Sequence, residues 1–204
     1  MNLEEIKALD QKYYMNTFGE RTPVCFTKGE GITLTDTEGK EYLDFFAGIA
    51  VNALGYAHPR LVRELTDQIA GVTHTSSVYY VENQARLAQL LAENSCADRV
   101  FFASTGAEAN EGAIKLAKKY FVEQGKPEKR EFVTLKNSFH GRTLATVAAT
   151  GQEKFQKPYR PLMEKFLHIE AEDIDALKKA VNVNTAAVMI ELIQGESGVL
   201  PLSQ

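Results

Sequence analysis

The sequence predicts an α/β fold: a mainly parallel sheet with helices on both faces, preceded by a small N-terminal segment built on an antiparallel hairpin. Three observations predict it. From Arg99 onward, short apolar runs of strand length alternate with helical stretches. Upstream, Gly31–Asp36 and Glu41–Phe45 alternate apolar and polar residues around the turn Thr37-Glu38-Gly39-Lys40. Finally, the apolar runs lead into loops of small, polar and glycine residues at 104–107, 136–143 and 191–198. In an open parallel sheet such loops gather at the carboxyl edge, where ligands bind.

Taken in order, residues 2–19 read as a short helix and its lead-out, and the hairpin follows. Residues 52–59 read as a loop. Pro59 suits the first turn of a helix over Arg60–Ala70, with Gly71 to cap its end. A further helix spans about Asn83–Asn94, where Ala85, Leu87, Ala88, Leu90 and Leu91 form a broad apolar face. Arg99–Ala103 reads as a buried strand, followed by a helix reaching Gln124. Glu131–Leu135 is the next strand, with helices near Thr143–Thr150 and over Asp173–Val181. Ala186–Leu192 closes the series as another strand, buried over Ala187–Ile190.

Composition narrows the function classes. With 44% hydrophobic and 25% charged residues the chain has material for a packed core. A net charge of −4 with no basic face gives no reason to expect nucleic acid as a partner. Met1–Asp10 lacks the basic and apolar regions of a signal peptide, and no apolar run approaches the roughly 20 residues that span a bilayer. Two isolated cysteines, Cys25 and Cys96, make no disulfide framework and lack metal-ligand spacing. His58, His74, His140 and His168 form no pair on a helix face. The expectation is a cytoplasmic protein without a metal site or membrane partner.

The turn Ser104-Thr105-Gly106-Ala107 carries the first candidate chemistry. Thr105 and Glu108 stand three apart, the arrangement of a capping box, with Thr105 as N-cap. The Gly106 and Ala107 amides then have no partner inside the helix and lie at the positive end of its dipole. A strand, a small-residue turn and a helix N-terminus make a phosphate site, although the local pattern also fits a plain, well-capped helix. Neither a P-loop nor a dinucleotide turn is present.

Lys136–Thr143 leaves the next strand at the same edge, with Phe139 offering a flat apolar face and Arg142 a planar cation suited to a carboxylate. Glu191–Gly198 leaves the last strand likewise, bringing carboxylates to that edge.

Three stretches then carry a family resemblance. They are Phe101–Glu111 (FFASTGAEANE), Ser138–Thr143 (SFHGRT) and Ile190–Glu196 (IELIQGE). In order and spacing they resemble successive motifs of the class III pyridoxal-phosphate-dependent aminotransferases, and the resemblance extends over the whole chain. Within the class, His74–Ser77 and Ala148–Gly151 are most similar to acetylornithine aminotransferases; ornithine, succinylornithine and 4-aminobutyrate aminotransferases are near relatives. The resemblance implies fold type I, a homodimer and pyridoxal 5'-phosphate as cofactor. It implies that Thr105, Gly106 and Ala107 hold the cofactor phosphate, and that Phe139 lies against the pyridine ring. Arg142 would bind a substrate carboxylate, and Glu196 would pair with a later arginine and move aside for the dicarboxylate substrate.

Residues 1–65 would belong to the small domain and residues 66–204 to the first part of the large domain. The implied substrates are N2-acetylornithine and 2-oxoglutarate or glutamate, in arginine biosynthesis. Ser104, Thr105, Leu192 and Ser197 depart from the commoner family residues. The family pattern also continues, beyond Gln204, to an aspartate that pairs with the pyridine nitrogen and to the lysine that carries the cofactor. No catalytic lysine is therefore assigned in this sequence, and the 204 residues alone are expected to be inactive. A non-catalytic, phosphate- or partner-binding half-domain is the alternative from a different class.

Overall fold

The computed structural model describes residues 1–203, which fall into two units divided between Asn83 and Gln84. This is a boundary of packing; the expected division at residue 65 concerns the domains of a whole aminotransferase.

In the first unit, helix α1 (Leu3–Tyr13) starts at Asn2 in a reciprocal capping box: the Asn2 side chain accepts the Glu5 amide and the Glu5 carboxylate accepts the Asn2 amide, both at 2.9 Å. Strands β1 (Phe26–Glu30), β2 (Thr33–Asp36) and β3 (Glu41–Leu43) form an antiparallel sheet in that order. The hairpin β2–β3 is the predicted one. Its turn closes on the buried Asp36 carboxylate, which accepts the amides of Glu38 and Lys40 and the Tyr42 hydroxyl. Gly39 supplies φ +83°. Strand β1 was not predicted, because Lys28-Gly29-Glu30 breaks the alternation of apolar and polar residues.

Next comes an irregular turn, α2 (Ala47–Ala50), in which Gly48 and Ile49 take positive φ. Helix α3 (Pro59–Ala70) begins with its proline in the first turn as predicted. Gly71 ends it, but at φ −99° and with its amide on the Gln68 carbonyl, outside the left-handed region expected of a glycine cap. Helix α4 (Glu82–Glu93) follows, and from Gln84 onward it belongs to the second unit.

The second unit contains α5 (Gly106–Glu123), β4 (Glu131–Leu135), α6 (Leu144–Ala149), α7 (Glu153–Gln156), β5 (Phe166–Ile169), α8 (Ile174–Ala180), β6 (Thr185–Val188), and the short pair β7 (Ile193–Gln194) and β8 (Leu200–Pro201). Its main sheet has the order β5-β4-β6, and both pairings are parallel. As the central strand, β4 has Phe132, Val133, Thr134 and Leu135 all buried, as a parallel strand covered on both faces should. Phe132 stacks on Phe166 across the sheet at 5.4 Å between ring centroids. Helix α5 packs on β6, while α6 and α8 pack on β5. The small residues of α6 are buried from Ala145 to Ala149.

Three expectations need correction. Arg99–Ala103 is not a strand: among the described residues it pairs with no neighbour, and Phe101 is 71% exposed. Apolar composition alone cannot make a strand where no ladder partner is present. Phe101 instead lies against α5, where a side chain on Gly112 would meet its ring at 2.8 Å. The last predicted strand is shorter than Ala186–Leu192, for β6 ends at Val188, although the Met189 amide still reaches the Val133 carbonyl at 2.8 Å. Nor is it buried over Ala187–Ile190: Val188 and Ile190 are about half exposed, because β6 is an edge strand of this sheet. Strand β5 went unpredicted; Phe166–Ile169 is short and flanked by no turn glycine.

Among the described residues no helix is long and apolar enough to cross a membrane, and no group of three or more His, Cys, Asp or Glu is placed to hold a metal ion.

Candidate functional site

Thr105 is extended, with φ −142° and ψ 159°, and its hydroxyl accepts the Glu108 amide at 3.1 Å. It is the N-cap of α5, as predicted. The other half of the capping box is absent: the Glu108 carboxylate accepts from the Thr105 hydroxyl at 3.3 Å instead of turning back to the N-cap amide. The first helical hydrogen bond runs from the Ala109 amide to the Thr105 carbonyl. The Gly106 and Ala107 amides precede it, and no atom would lie within 4 Å of a side chain placed on Gly106. An anion can thus approach the end of the helix dipole without steric opposition.

That helix end opens into a pocket of about 450 Å³. Thr105, Gly106, Ala107 and Asn110 of α5 line one part of it, and Phe139 to Thr143 of the β4–α6 loop line the rest. The structure therefore brings together five predicted residues: Thr105, Gly106, Ala107, Phe139 and Arg142. Their approach depends on Gly141. Its φ is +124°, and a Cβ there would fall 2.7 Å from the Ala107 Cβ and 3.1 Å from the Ala107 Cα. Any other residue would push the loop off the helix.

Side chains from three other stretches of the chain hold this loop. The Phe139 amide donates to the Glu191 carboxylate, the His140 amide to the Thr150 hydroxyl, and Asn110 donates its side-chain amide to the His140 carbonyl, each at 2.9 Å. The Thr143 hydroxyl donates to Glu111. Ser138, fully buried, bonds back to the Leu135 carbonyl at 2.6 Å and accepts the Gly151 amide. Phe155 meets the Phe139 ring edge-on at 5.4 Å, which orients that ring.

Glu196 does not line this pocket. Its carboxylate takes the Lys154 ammonium at 3.0 Å and the Gln152 amide at 2.6 Å, and these bonds hold its pKa below the usual carboxylate range. Glu191 is shifted the other way: burial raises it, and the Glu196 charge adds to that, against the Phe139 amide. Burial also lowers the pKa of His140, whose buried Nε2 has no hydrogen-bond partner; nearby His168 lowers it further.

Asn110, Thr150 and Lys154 escaped the sequence reading. Only Asn110 carried a signal, since it follows Gly106 by four residues and so shares that face of α5. Thr150 and Lys154 reach their partners through tertiary packing alone.

Comparison with known proteins identifies the family and the fold. The family model for class-III aminotransferases matches residues 14–204. The chain is 48% identical over 200 residues to acetylornithine aminotransferase from Methanothermobacter thermautotrophicus, covering 98% of this chain and 50% of that protein. It is 49% identical over 210 residues to acetylornithine aminotransferase from Synechocystis sp., covering 97% and 48%. Among solved structures, ornithine aminotransferase from Toxoplasma gondii ME49 superposes with a TM-score of 0.90 at 30% identity, covering 100% of this chain and 48% of that one. A second structure of that enzyme has partial occupancy of pyridoxal phosphate at its active site. The chain spans about half the length of the curated relatives it matches. A motif match across nearly its whole length, on a fold shared with solved aminotransferases, places the chain in the class-III aminotransferases, a family of fold type I that uses pyridoxal 5'-phosphate.

Proposed function

We propose that the full-length protein moves the amino group of N2-acetylornithine to 2-oxoglutarate with pyridoxal 5'-phosphate, giving N-acetylglutamate semialdehyde and glutamate in arginine biosynthesis. The observation that carries this reading is the single pocket in which the α5 N-terminus meets Phe139 and Arg142. Acetylornithine aminotransferases at 48–49% identity support the choice of donor.

The residues fit the cofactor. The free amides of Gly106 and Ala107 and the Thr105 hydroxyl suit a phosphate dianion. Phe139, held from behind by Phe155 and Glu191, presents an apolar surface for an aromatic ring. When bound, the cofactor supplies the electron sink that amino transfer requires. Arg142, on the same loop, provides a fork for a substrate carboxylate. Glu196 serves as a movable acid, held at present by the exposed Lys154 and by Gln152. Such a switch lets one site take both a basic amino-acid derivative and glutamate. In the whole enzyme residues 1–65 would contribute to the small domain and 66–204 to the large one, two copies would form a homodimer, and the cytoplasm would be its compartment.

Two measurements test this. Purified full-length protein, given N2-acetylornithine, ornithine and succinylornithine in turn with 2-oxoglutarate, should show its highest kcat/KM with N2-acetylornithine. A preference for ornithine moves the protein to the neighbouring specificity, and absence of transfer with every donor overturns the reading. Arg142→Gln should lower kcat/KM by roughly 10- to 150-fold, the loss of about 1.5–3 kcal/mol from one charge-assisted contact, with KM carrying most of it.

A further inference from the structure

Three backbone groups at the pocket wall, the Phe139 N–H, the His140 N–H and the His140 C=O, are each held by a side chain from a different part of the second unit. Thr150 and Asn110 are neutral and belong to elements packed beside the loop. Glu191 is different. It is charged, lies 52 residues further along the chain, and leaves the end of β6 to reach one amide at 2.9 Å.

A carboxylate is a costly choice for that task. Glu191 is partly buried, and Glu196 adds a second negative charge to its surroundings. A glutamine would satisfy the same N–H without desolvating a charge. What the carboxylate adds is a stronger hold on the peptide: charge-assisted hydrogen bonds are about twice as strong as neutral ones. The peptide so held carries Phe139, whose other restraint is the edge contact with Phe155.

We propose that Glu191 is a positioning residue for the cofactor: it fixes the Phe139 peptide, and through it the plane of the Phe139 ring against the face of the pyridine. The inference rests on the assignment of this pocket to pyridoxal phosphate. Glu191 itself lines no part of the pocket, and its hydrogen bond to the pocket wall is the one to the Phe139 amide.

The experiment uses the full-length protein with Glu191→Ala and Glu191→Gln. In the cofactor-free protein, hydrogen exchange at the Phe139 amide should quicken by about tenfold or more in E191A and by less in E191Q, which keeps an acceptor oxygen but loses its charge. With cofactor, E191A should weaken pyridoxal phosphate binding by about tenfold and diminish the visible circular dichroism of the bound cofactor, with kcat falling more than KM. E191Q should restore part of both, because it keeps the acceptor without the charge. Wild-type exchange at Phe139 in E191A, or a lowered Tm with unchanged cofactor affinity and dichroism, overturns the proposal. Should E191A fail to fold, Glu191→Asp withdraws the acceptor by one methylene; unchanged affinity and dichroism in E191D overturns it equally. A wild-type protein that binds no pyridoxal phosphate defeats the cofactor assignment instead, and the exchange measurement still reports on the Glu191 hold.

Discussion

The Thr105 hydroxyl accepts the Glu108 amide and turns its proton to the Glu108 carboxylate, so one small side chain both starts α5 and shields the helix end from that carboxylate. Thr105→Ala removes an N-cap, at a cost of about 1 kcal/mol, and leaves the acid free to repel an incoming phosphate. Thermal melting of the cofactor-free protein should therefore show a lower Tm, and titration with pyridoxal phosphate a weaker affinity. Thr105→Ser keeps the capping oxygen and should restore both. A full loss of affinity in T105S would show that the methyl group, rather than the hydroxyl, matters.

At the scale of elements, the second unit is organised around β4. Its central position between two parallel neighbours buries four consecutive side chains, and Phe132 joins Ile114 of α5 and Ala145 of α6 in one apolar cluster. Phe132→Ala should destabilise this unit by about 3–5 kcal/mol, which denaturant unfolding measures directly. The site depends on the same element, since the loop bearing Phe139 and Arg142 begins where β4 ends. The variant should consequently lose cofactor affinity along with stability, whereas Thr105→Ala affects mainly the helix end.

For the whole molecule, two histidines set a pH dependence. Burial lowers the pKa of both His140 and His168, which unfolded would titrate near 6.5. As pH falls through that value the unfolded chain takes up protons that the folded one resists, so stability drops below neutrality. The Tm should decline between about pH 7 and about pH 5.5, and His168→Gln should flatten the decline. Glu131 and Glu196, whose carboxylates are held below their usual range, act only at lower pH, where protonation removes their stabilisation. Large apolar side chains also stand open to solvent, among them Phe45, Val78, Tyr80 and Phe101. The 204 residues alone should accordingly scatter light increasingly with concentration; a monodisperse solution at high concentration would contradict this.

Local chemistry made part of this protein legible in its sequence. The Asn-Gly-free hairpin around Gly39, the proline start of α3, the Thr105 cap and the buried run of β4 each depend on residues adjacent in the chain. Their conformational preferences act without help from elsewhere. The Lys136–Thr143 loop could likewise be assigned to the sheet's carboxyl edge, because it leaves the central strand β4 there. Other features depended on partners distant in sequence. Arg99–Ala103 has the composition of a strand but no neighbour to pair with, while Phe166–Ile169 lacks a turn signal yet pairs with β4 along its length. The Glu191 bond to Phe139, the Thr150 bond to His140 and the Gly141 contact with Ala107 join residues that no periodicity connects. The sequence by itself determined the family, the cap and five of the residues that line the pocket, Thr105, Gly106, Ala107, Phe139 and Arg142. Only the tertiary structure decided what holds Phe139 in place, because that hold consists of side-chain bonds closed across long loops.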